Sequence, residues 1–501
     1  MDRPSPAAPV SSSTNRWLPL LALAAVLLGL LAVRAPAIAM VLAGMAVTVL
    51  VALRVPDAAT FAVLFLLYSN LPTISVQFHH VPKAVAGVFP LLLALPLIRD
   101  LLVRRQPIVL TPAIPFLLLF LAVLVVGHAF SIEPGTSLSG VITFVLEGLT
   151  LYLLVTNTVR SKEVLRGATW ALLLAGLLMS AVPVFQQVTH TFDNDYGGLA
   201  QVEGIGFSTG PSTEGGGVSR QARLAGPIGE KNRYAQVMLV LIPIGLMRYW
   251  GEKQRILKLA ALACTGSISL GFVLAFSRGG AVGLFLMVLA MVAMRMIDFR
   301  RLVFVGVGCG LLLAALPQYW ERLSTVGSVF HLFSDDASAA EEPDGAVKRR
   351  ITEMMGAVRV FIDHPLFGVG PGMYKAYSEE YSNIDALRKV ETGRRAHSLF
   401  LEIAAENGAL GLLAFLAAVA VTLLSLSQAR QVCLERDPEL AGLVTGYLLA
   451  LMNYVTSGVF LHLAYMRYFY IVLAMGAAAA YVGLRAREVE ADTELVPAQA
   501  T

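Results

Sequence analysis

The sequence predicts an all-α protein: a polytopic membrane helical bundle of about 12–14 transmembrane helices with a helical extracytoplasmic loop. Four observations carry that prediction. Hydrophobic residues make up 56% and charged residues 14% of the chain, and the mean hydropathy is +0.70, which excludes an ordinary soluble domain. Apolar runs of the length that crosses a hydrocarbon core of about 30 Å recur from end to end. No strand alternation points to a barrel, so backbone groups in lipid must be satisfied within helices. Finally, Lys and Arg collect in alternate short loops.

In chain order, the apolar runs span residues 17–33, 35–53, 57–70, 82–98, 108–129, 137–156 and 167–188, then 229–247, 257–276, 280–296, 302–317, 398–424, 439–460 and 464–484. Pro72, Pro82, Pro90 and Pro96 crowd the third and fourth runs. A short hydrophobic stretch of that kind can equally be re-entrant, and without this pair the bundle has about twelve spans. The first run follows a Pro-, Ser- and Ala-rich segment and could be mistaken for a secretory signal. A second run begins directly after Arg34, so a retained helix is expected.

Orientation follows from the short loops. Arg99, Arg104 and Arg105; Arg160, Lys162 and Arg166; Arg248, Lys253, Arg255 and Lys258; Arg295, Arg300 and Arg301; Arg430 and Arg436; and Arg485 with Arg487 all fall on one side. That side is cytoplasmic by the charge rule, and both termini lie there. Short loops of the opposite side carry isolated cations such as Arg34, Lys83, Arg278 and Arg467. The domain organisation is therefore a disordered cytoplasmic N-terminus (1–16), N-terminal transmembrane helices (17–188) and a first large outer loop (189–228). Central helices (229–317), a second large outer loop (318–397), C-terminal helices (398–484) and a cytoplasmic tail (485–501) follow. The net charge of +4 is accounted for by topology, and nucleic acid is not an expected partner. Cys264 and Cys309 lie in apolar runs and Cys433 in a cytoplasmic loop, so neither a disulfide framework nor a cysteine metal site is expected.

Four polar stretches carry chemistry or architecture. The first outer loop reads as a flexible glycine-rich linker over 197–219 and then becomes more defined through Arg220, Arg223, Gly226, Asn232 and Arg233. Ser277-Arg278-Gly279-Gly280 joins two apolar runs, with the glycines permitting a tight turn. In the second outer loop, Ile351, Met354, Met355, Val358, Phe361 and Ile362 recur at helical spacing opposite Lys348, Arg349, Arg350 and Arg359. This predicts an amphipathic helix on the membrane surface that packs over the bundle. His364-Pro365-x-x-Gly368-x-Gly370-x-Gly372 ends it, because proline disfavours helix at the preceding residue and the glycines allow a sharp return. The fourth stretch sets His397 beside Arg394 and Arg395, then Glu406-x-Gly408-x-x-Gly411.

Neutral imidazole is a suitable general base near physiological pH, and neighbouring cations favour the neutral form. Glu402 and Glu406 share a helix face one turn apart, but at about 100° per residue neither shares the face of His397. A histidine-carboxylate relay along this one helix is therefore not expected. Glu147, Asn453, His462 and Arg467 are further polar residues within or beside apolar runs.

The Arg223, Ser277-Arg278-Gly279, His364-Pro365 and His397-Ser398-x-x-Leu401 elements together resemble the O-antigen ligase and Wzy-type O-antigen and exopolysaccharide polymerase superfamily, over residues 130–425. The resemblance implies a GT-C-like glycosyltransferase of the bacterial cytoplasmic (inner) membrane, with its active site on the outer, periplasmic face. It implies His397, Arg278 and Arg223 as catalytic residues, with Arg220, Arg233, Arg394 and Arg395 as weaker candidates for substrate binding. Glu406, Gly408, Gly411, Gly279 and Gly280 would be structural. The donor would be a polyprenyl-diphosphate-linked glycan and the acceptor a glycan or another lipid-linked molecule. Membrane lipid surrounds the protein, and a flippase and a chain-length regulator would be accessory partners. No metal and no cofactor is required. The number of spans and the two substantial outer loops tilt this towards a polymerase. A ligase acting on lipid A core, or transfer to protein, stays open, as does a lipid or polysaccharide transporter of another class.

Overall fold

The computed structural model describes residues 43–44, 54–83, 87, 89–208, 220–293, 295, 298–315, 345–384, 389–390, 393–461 and 466–494. The expected spans at 17–33 and most of 35–53, the segment 318–344, the 197–219 linker beyond residue 208 and His462 lie outside them. The described helices are α1 (Pro56–Tyr68), α2 (Leu71–His79), α3 (Ala94–Leu102), α4 (Ile114–Ala129), α6 (Lys162–Thr189), α7 (Lys231–Gly251) and α8 (Arg255–Leu274). Between α4 and α6 lies α5 (Pro134–Thr158), which has a π-helical middle at Phe144–Thr150. The remaining helices are α9 (Arg278–Ala293), α10 (Phe299–Ala315), α11 (Gly345–Asp363), α12 (Tyr374–Ser382), α13 (Leu399–Arg436), α14 (Pro438–Ser457) and α15 (Met466–Glu494).

The architecture is all-α and polytopic. Among the described residues, six helices are long and apolar enough to cross a membrane: α5, α6, α8, α13, α14 and the Arg467–Arg485 part of α15. The third expected run is α1, and α2 follows it at a 54° bend with Asn70 between them at φ 64°. The fourth is a short 3₁₀ turn, Phe89–Leu93, running into α3. Prolines at 72, 90 and 96 account for both interruptions.

Burial separates the centre of the bundle from its rim. In α14 and α15 the apolar windows are 78% and 89% buried, against 39% in α8 and α13. In α7, every residue from Tyr234 to Arg248 is buried. This helix packs on α8 and α14, while α13 packs on α15, α14 and α4. At the end of the bundle away from His397, buried charges are paired: Arg248 Nη1 is 2.9 Å from Glu439 Oε1 and Arg166 Nη2 3.1 Å from Glu252 Oε2, and Arg248 also pairs with Glu252. Lys162 Nζ reaches Asp437 Oδ2 at 2.6 Å. Several cations that mark one side of the membrane in the sequence thus also tie α6, α7 and α14 together. Cys433 lies within α13 and is buried, not in a loop as expected.

The glycine-rich first loop is partly ordered, contrary to the linker expectation. β1 (Gln201–Ser208) pairs antiparallel with β2 (Arg220–Gly226), Ser208 opposite Arg220, with irregular register along the hairpin. Val202, Ile205 and Phe207 interrupt the glycines and supply strand propensity.

The amphipathic helix exists as α11 and packs on α12 and α13. Its buried side differs from the expected one. Thr352, Glu353, Ala357 and Val360 are buried, whereas Met355, Val358 and Ile362 of the predicted apolar stripe are exposed. The small Gly356 and Ala357 admit α12 closely: a Cβ at Gly356 would come within 2.3 Å of Ser382 Oγ. Apolar patterning alone therefore selects the wrong face.

The seam between α13 and the loop after α11 organises this end of the molecule. Gly408 interrupts α13 at φ 65°, ψ −169°, a backbone region that only glycine enters readily. Backbone groups around this break are taken up by the glycine-rich loop. The Val369 and Gly370 amides donate to the Ala405 and Glu406 carbonyls at 3.1 and 2.9 Å, and the Ala409 and Leu410 amides donate to Pro365 and Leu366 at 2.7 and 3.3 Å. A Cβ at Gly408 would stand 2.2 Å from the Leu366 carbonyl, and one at Gly368 2.3 Å from Glu406 backbone. The Glu406 carboxylate accepts from the Tyr374 amide at 3.3 Å, fixing the start of α12.

Gly408→Ala should accordingly cost about 1–3 kcal/mol in conformation alone, with a further loss from displacing the loop backbone. A thermal unfolding measurement in detergent should show a clear drop in Tm. Gly306→Ala, where nothing stands within 4 Å of an added Cβ, should leave Tm unchanged; equal behaviour of the two variants would contradict the seam.

Candidate functional site

Four stretches of backbone converge at the His397 end of the bundle. The first is the turn between α8 and α9. Phe276 adopts φ 49°, an unfavourable conformation for a bulky residue. Arg223 from β2 holds this turn: Nε donates to the Ala275 carbonyl at 3.2 Å and Nη2 to the Phe276 carbonyl at 3.0 Å. Ser277 follows, accepting from the Gly280 amide at 3.3 Å and donating to Asn232 of α7 at 3.2 Å. Arg278 is thereby set on the first turn of α9, beside the start of α7. Gly279 and Gly280 are not the residues that reverse the chain here. They serve close packing instead, since added Cβ atoms would lie 3.2 Å from Phe460 and 2.8 Å from Phe272.

The second stretch is the N-terminus of α7, where the Glu230 carboxylate caps the helix by accepting from the Asn232 and Arg233 amides at 3.0 and 2.9 Å. Arg233 Nε also lies 3.4 Å from Glu230 Oε2. The third is the segment entering α13. The Gly393 amide donates to Lys375 O at 3.2 Å and the Arg394 amide to Ser378 Oγ at 3.2 Å, so α12 holds it in place. His397 turns the chain at φ 50°, Ser398 caps α13, and the Leu399 amide donates to the Gly458 carbonyl at 2.7 Å. Because Phe460 in that same short stretch packs on Gly279, the 458–460 segment links the histidine turn to the arginine turn.

The fourth stretch is the middle of α11. Glu353 is fully buried, and its Oε2 stands 3.2 Å from His397 Nε2. The backbone carbonyl of the same residue accepts from the Tyr374 hydroxyl at 2.6 Å, which pins α11 to α12 at this level.

Electrostatics follow from burial and from cation crowding. Burial first, then Arg350, Arg233, Arg394 and Arg395, lower the His397 pKa to about 4. At neutral pH the imidazole is thus uncharged. Burial raises the Glu353 carboxyl to about 7, although Arg394, Arg349 and Arg350 oppose the shift. Arg395 beside Lys375, with burial second, holds the lysine ammonium below its usual range. Arg395 Nη1 donates to Glu402 Oε1 at 3.1 Å.

The sequence-derived candidates are therefore not equivalent. His397, Arg233, Arg394 and Arg395 form one electrostatic group, and the 458–460 segment connects the His397 turn to the turn that bears Arg278. Arg223 lies behind the turn that bears Arg278. Arg220 occupies the first position of β2. Glu406 and Gly408 belong to the seam, and Gly411 sits against Asn407 and Val123. Glu353, Arg350 and Lys375 were missed as site residues. The one available signal was Glu353 itself, a lone carboxylate in the otherwise basic run Lys348, Arg349, Arg350 to Arg359. Among the described residues, no group of three or more His, Cys, Asp or Glu side chains is placed to hold a metal ion.

Residues 235–416 match the family model for the O-antigen ligase domain, Wzy_C. The matched segment contains the Arg278 turn, α11, the glycine-rich loop, His397 and the break at Gly408. No curated protein matches the chain.

The arginine field makes a spectroscopic prediction. In histidine-labelled protein, the His397 imidazole should titrate near about 4, well below the ordinary value of about 6.5. Removing a cation in Arg350→Ala makes the imidazolium less unfavourable, so the midpoint should rise. A wild-type midpoint at or above the ordinary value would remove the basis of the electrostatic description.

Proposed function

We propose that this chain, which carries the O-antigen ligase domain and falls within the O-antigen ligase and Wzy-type superfamily, is a glycosyltransferase of the bacterial inner membrane that uses a polyprenyl-diphosphate-linked glycan on the extracytoplasmic face. Members of that family transfer glycosyl groups. The observation that carries the reading is the neutral His397, set at the mouth of α13 among arginines and tied through residues 458–460 to the turn bearing Arg278. Both long polar segments and the isolated cations Arg278 and Arg467 fall on the side that the charge rule assigns to the outside.

In this reading the acceptor hydroxyl attacks the anomeric carbon, and His397 takes its proton. The bond from that carbon to the diphosphate oxygen breaks, and its electron pair leaves with the polyprenyl diphosphate. Arg278, aided by Arg233 and Arg394, neutralises the charge that develops on the departing group. A guanidinium suits this work because its planar fork pairs with two phosphate oxygens at once and stays charged. Arg223 contributes through position, by holding the carbonyls of the turn that carries Arg278. The scheme requires no metal. A flippase that delivers the donor and a chain-length regulator are natural partners.

A polymerase that joins one lipid-linked glycan to another is favoured by the two substantial polar loops. Transfer to lipid A core, or to protein, is the second reading, and the family model covers ligases and polymerases alike.

With purified protein and lipid-linked donor, His397→Ala should lose about 10²–10⁴ in turnover, and Arg278→Lys should lose at least about tenfold because the fork is gone. Turnover in EDTA should equal that without it. Donor alone should give a ladder of products for a polymerase, whereas a ligase turns over only when lipid A core is supplied. Wild-type turnover by a correctly folded His397→Ala protein would remove the base assignment.

A further inference from the structure

The expectation from sequence was that neither Glu402 nor Glu406 shares a helix face with His397; His397 in fact precedes α13, at φ 50°. A carboxylate comes from another helix. Glu353 is fully buried on α11; its Oε2 is 3.2 Å from His397 Nε2, an ion-pair separation, and neither carboxylate oxygen makes a hydrogen bond to a described residue. The neighbouring buried positions are Thr352, Ala357 and Val360, and desolvating a carboxyl costs several kcal/mol unless a partner compensates. Its surroundings are unusually specific. Arg349 and Arg350 approach from its own helix and Arg394 from the segment before α13, while Tyr374 of α12 holds the backbone carbonyl. Around the imidazole, Arg233 of α7 and Arg395 complete the charged set, with Lys375 and Glu402 both close to Arg395.

We infer that Glu353 is the positioning residue for His397: from 3.2 Å its otherwise unsatisfied carboxylate takes up Nε2–H, orients the ring, and receives the Nε2 proton as Nδ1 takes the proton of the acceptor hydroxyl. This inference rests on the glycosyl-transfer reading above. The proton balance is complete. The acceptor proton arrives at Nδ1, the proton on Nε2 passes to Glu353, and the acceptor oxygen closes its bond to the anomeric carbon as the diphosphate departs. A ring that is costly to charge among four arginines can still act as a base, because the positive charge never has to remain on it. A carboxyl raised to about 7 is a competent proton acceptor in this position, far more so than one at the ordinary value of about 4.3.

The functional state is the ionised one, so the sign of the pH effect is fixed. Turnover should rise with pH as Glu353 loses its proton, with a midpoint near about 7, and should fall on the acid side while His397 is still neutral. The test compares kcat across pH for wild type, Glu353→Gln and Glu353→Asp in purified, folded protein with lipid-linked donor and acceptor. Glu353→Gln is nearly isosteric and should lower kcat at least about tenfold, part of the 10²–10⁴ that a general base contributes, with little change in KM. The limb near 7 should disappear from its profile. Glu353→Asp should restore part of kcat and bring back a titrating limb. A Glu353→Gln protein with wild-type kcat, or with lower kcat but an unshifted limb, would overturn the inference. If His397→Ala is inactive while Glu353→Gln behaves as wild type, the positioning role alone fails. If His397→Ala is active, the transferase reading of the site fails with it.

Discussion

The break in α13 at Gly408 is the constraint on which the rest of this end depends. A helix that crosses a membrane cannot leave backbone donors and acceptors open without large cost. Here the interruption frees carbonyls at Ala405 and Glu406 and amides at Ala409 and Leu410, and the loop from Pro365 to Gly370 takes up all four. Loop and helix thus satisfy one another. The loop follows α11 directly, so docking it fixes where α11 lies, and the Glu406 carboxylate fixes the start of α12. Those two helices bring Glu353 to His397 and hold residues 393–394. Conformational strain at Gly408 and the placement of the candidate base are consequences of one docking event.

The second organising fact is the sign of the charge. Arg233, Arg350, Arg394 and Arg395 all act on His397, and Glu353, Glu402 and Glu230 are carboxylates close to that group. Such a field keeps a histidine neutral and, in the proposed reading, favours an anionic donor for the same reason. At the opposite end of the bundle Arg248, Arg166 and Lys162 are matched by Glu252, Glu439 and Asp437, so that end is held together by its charges.

Much of this was legible in the sequence. Apolar run length located the described membrane helices, because a hydrocarbon core imposes both length and composition. The Ser277–Gly280, His364–Gly372 and His397–Gly411 stretches were visible as departures from that composition. What escaped was relational. Glycines 368, 370 and 408 could be read as turn-formers, but the fact that one group closes against another depends on tertiary backbone pairing that no local pattern encodes. Glu353 was passed over because apolar periodicity on α11 pointed to Met355, Val358 and Ile362, whereas small residues decide which side packs. In a membrane protein an exposed apolar stripe can face lipid, so amphipathicity loses its usual power to pick the buried face. The role expected of Gly279 and Gly280 also changed, since the reversal falls on Phe276 and the glycines serve close approach.

The most direct measurement is hydrogen–deuterium exchange, resolved to single amides, at Val369, Gly370, Ala409 and Leu410 in the membrane-embedded protein. These four amides should exchange slowly and together, at rates set by opening of the whole seam, because each is bonded across it. Rapid, independent exchange at Val369 and Gly370 would contradict the account, for it would mean that the loop does not dock on α13 and that nothing holds Glu353 against His397.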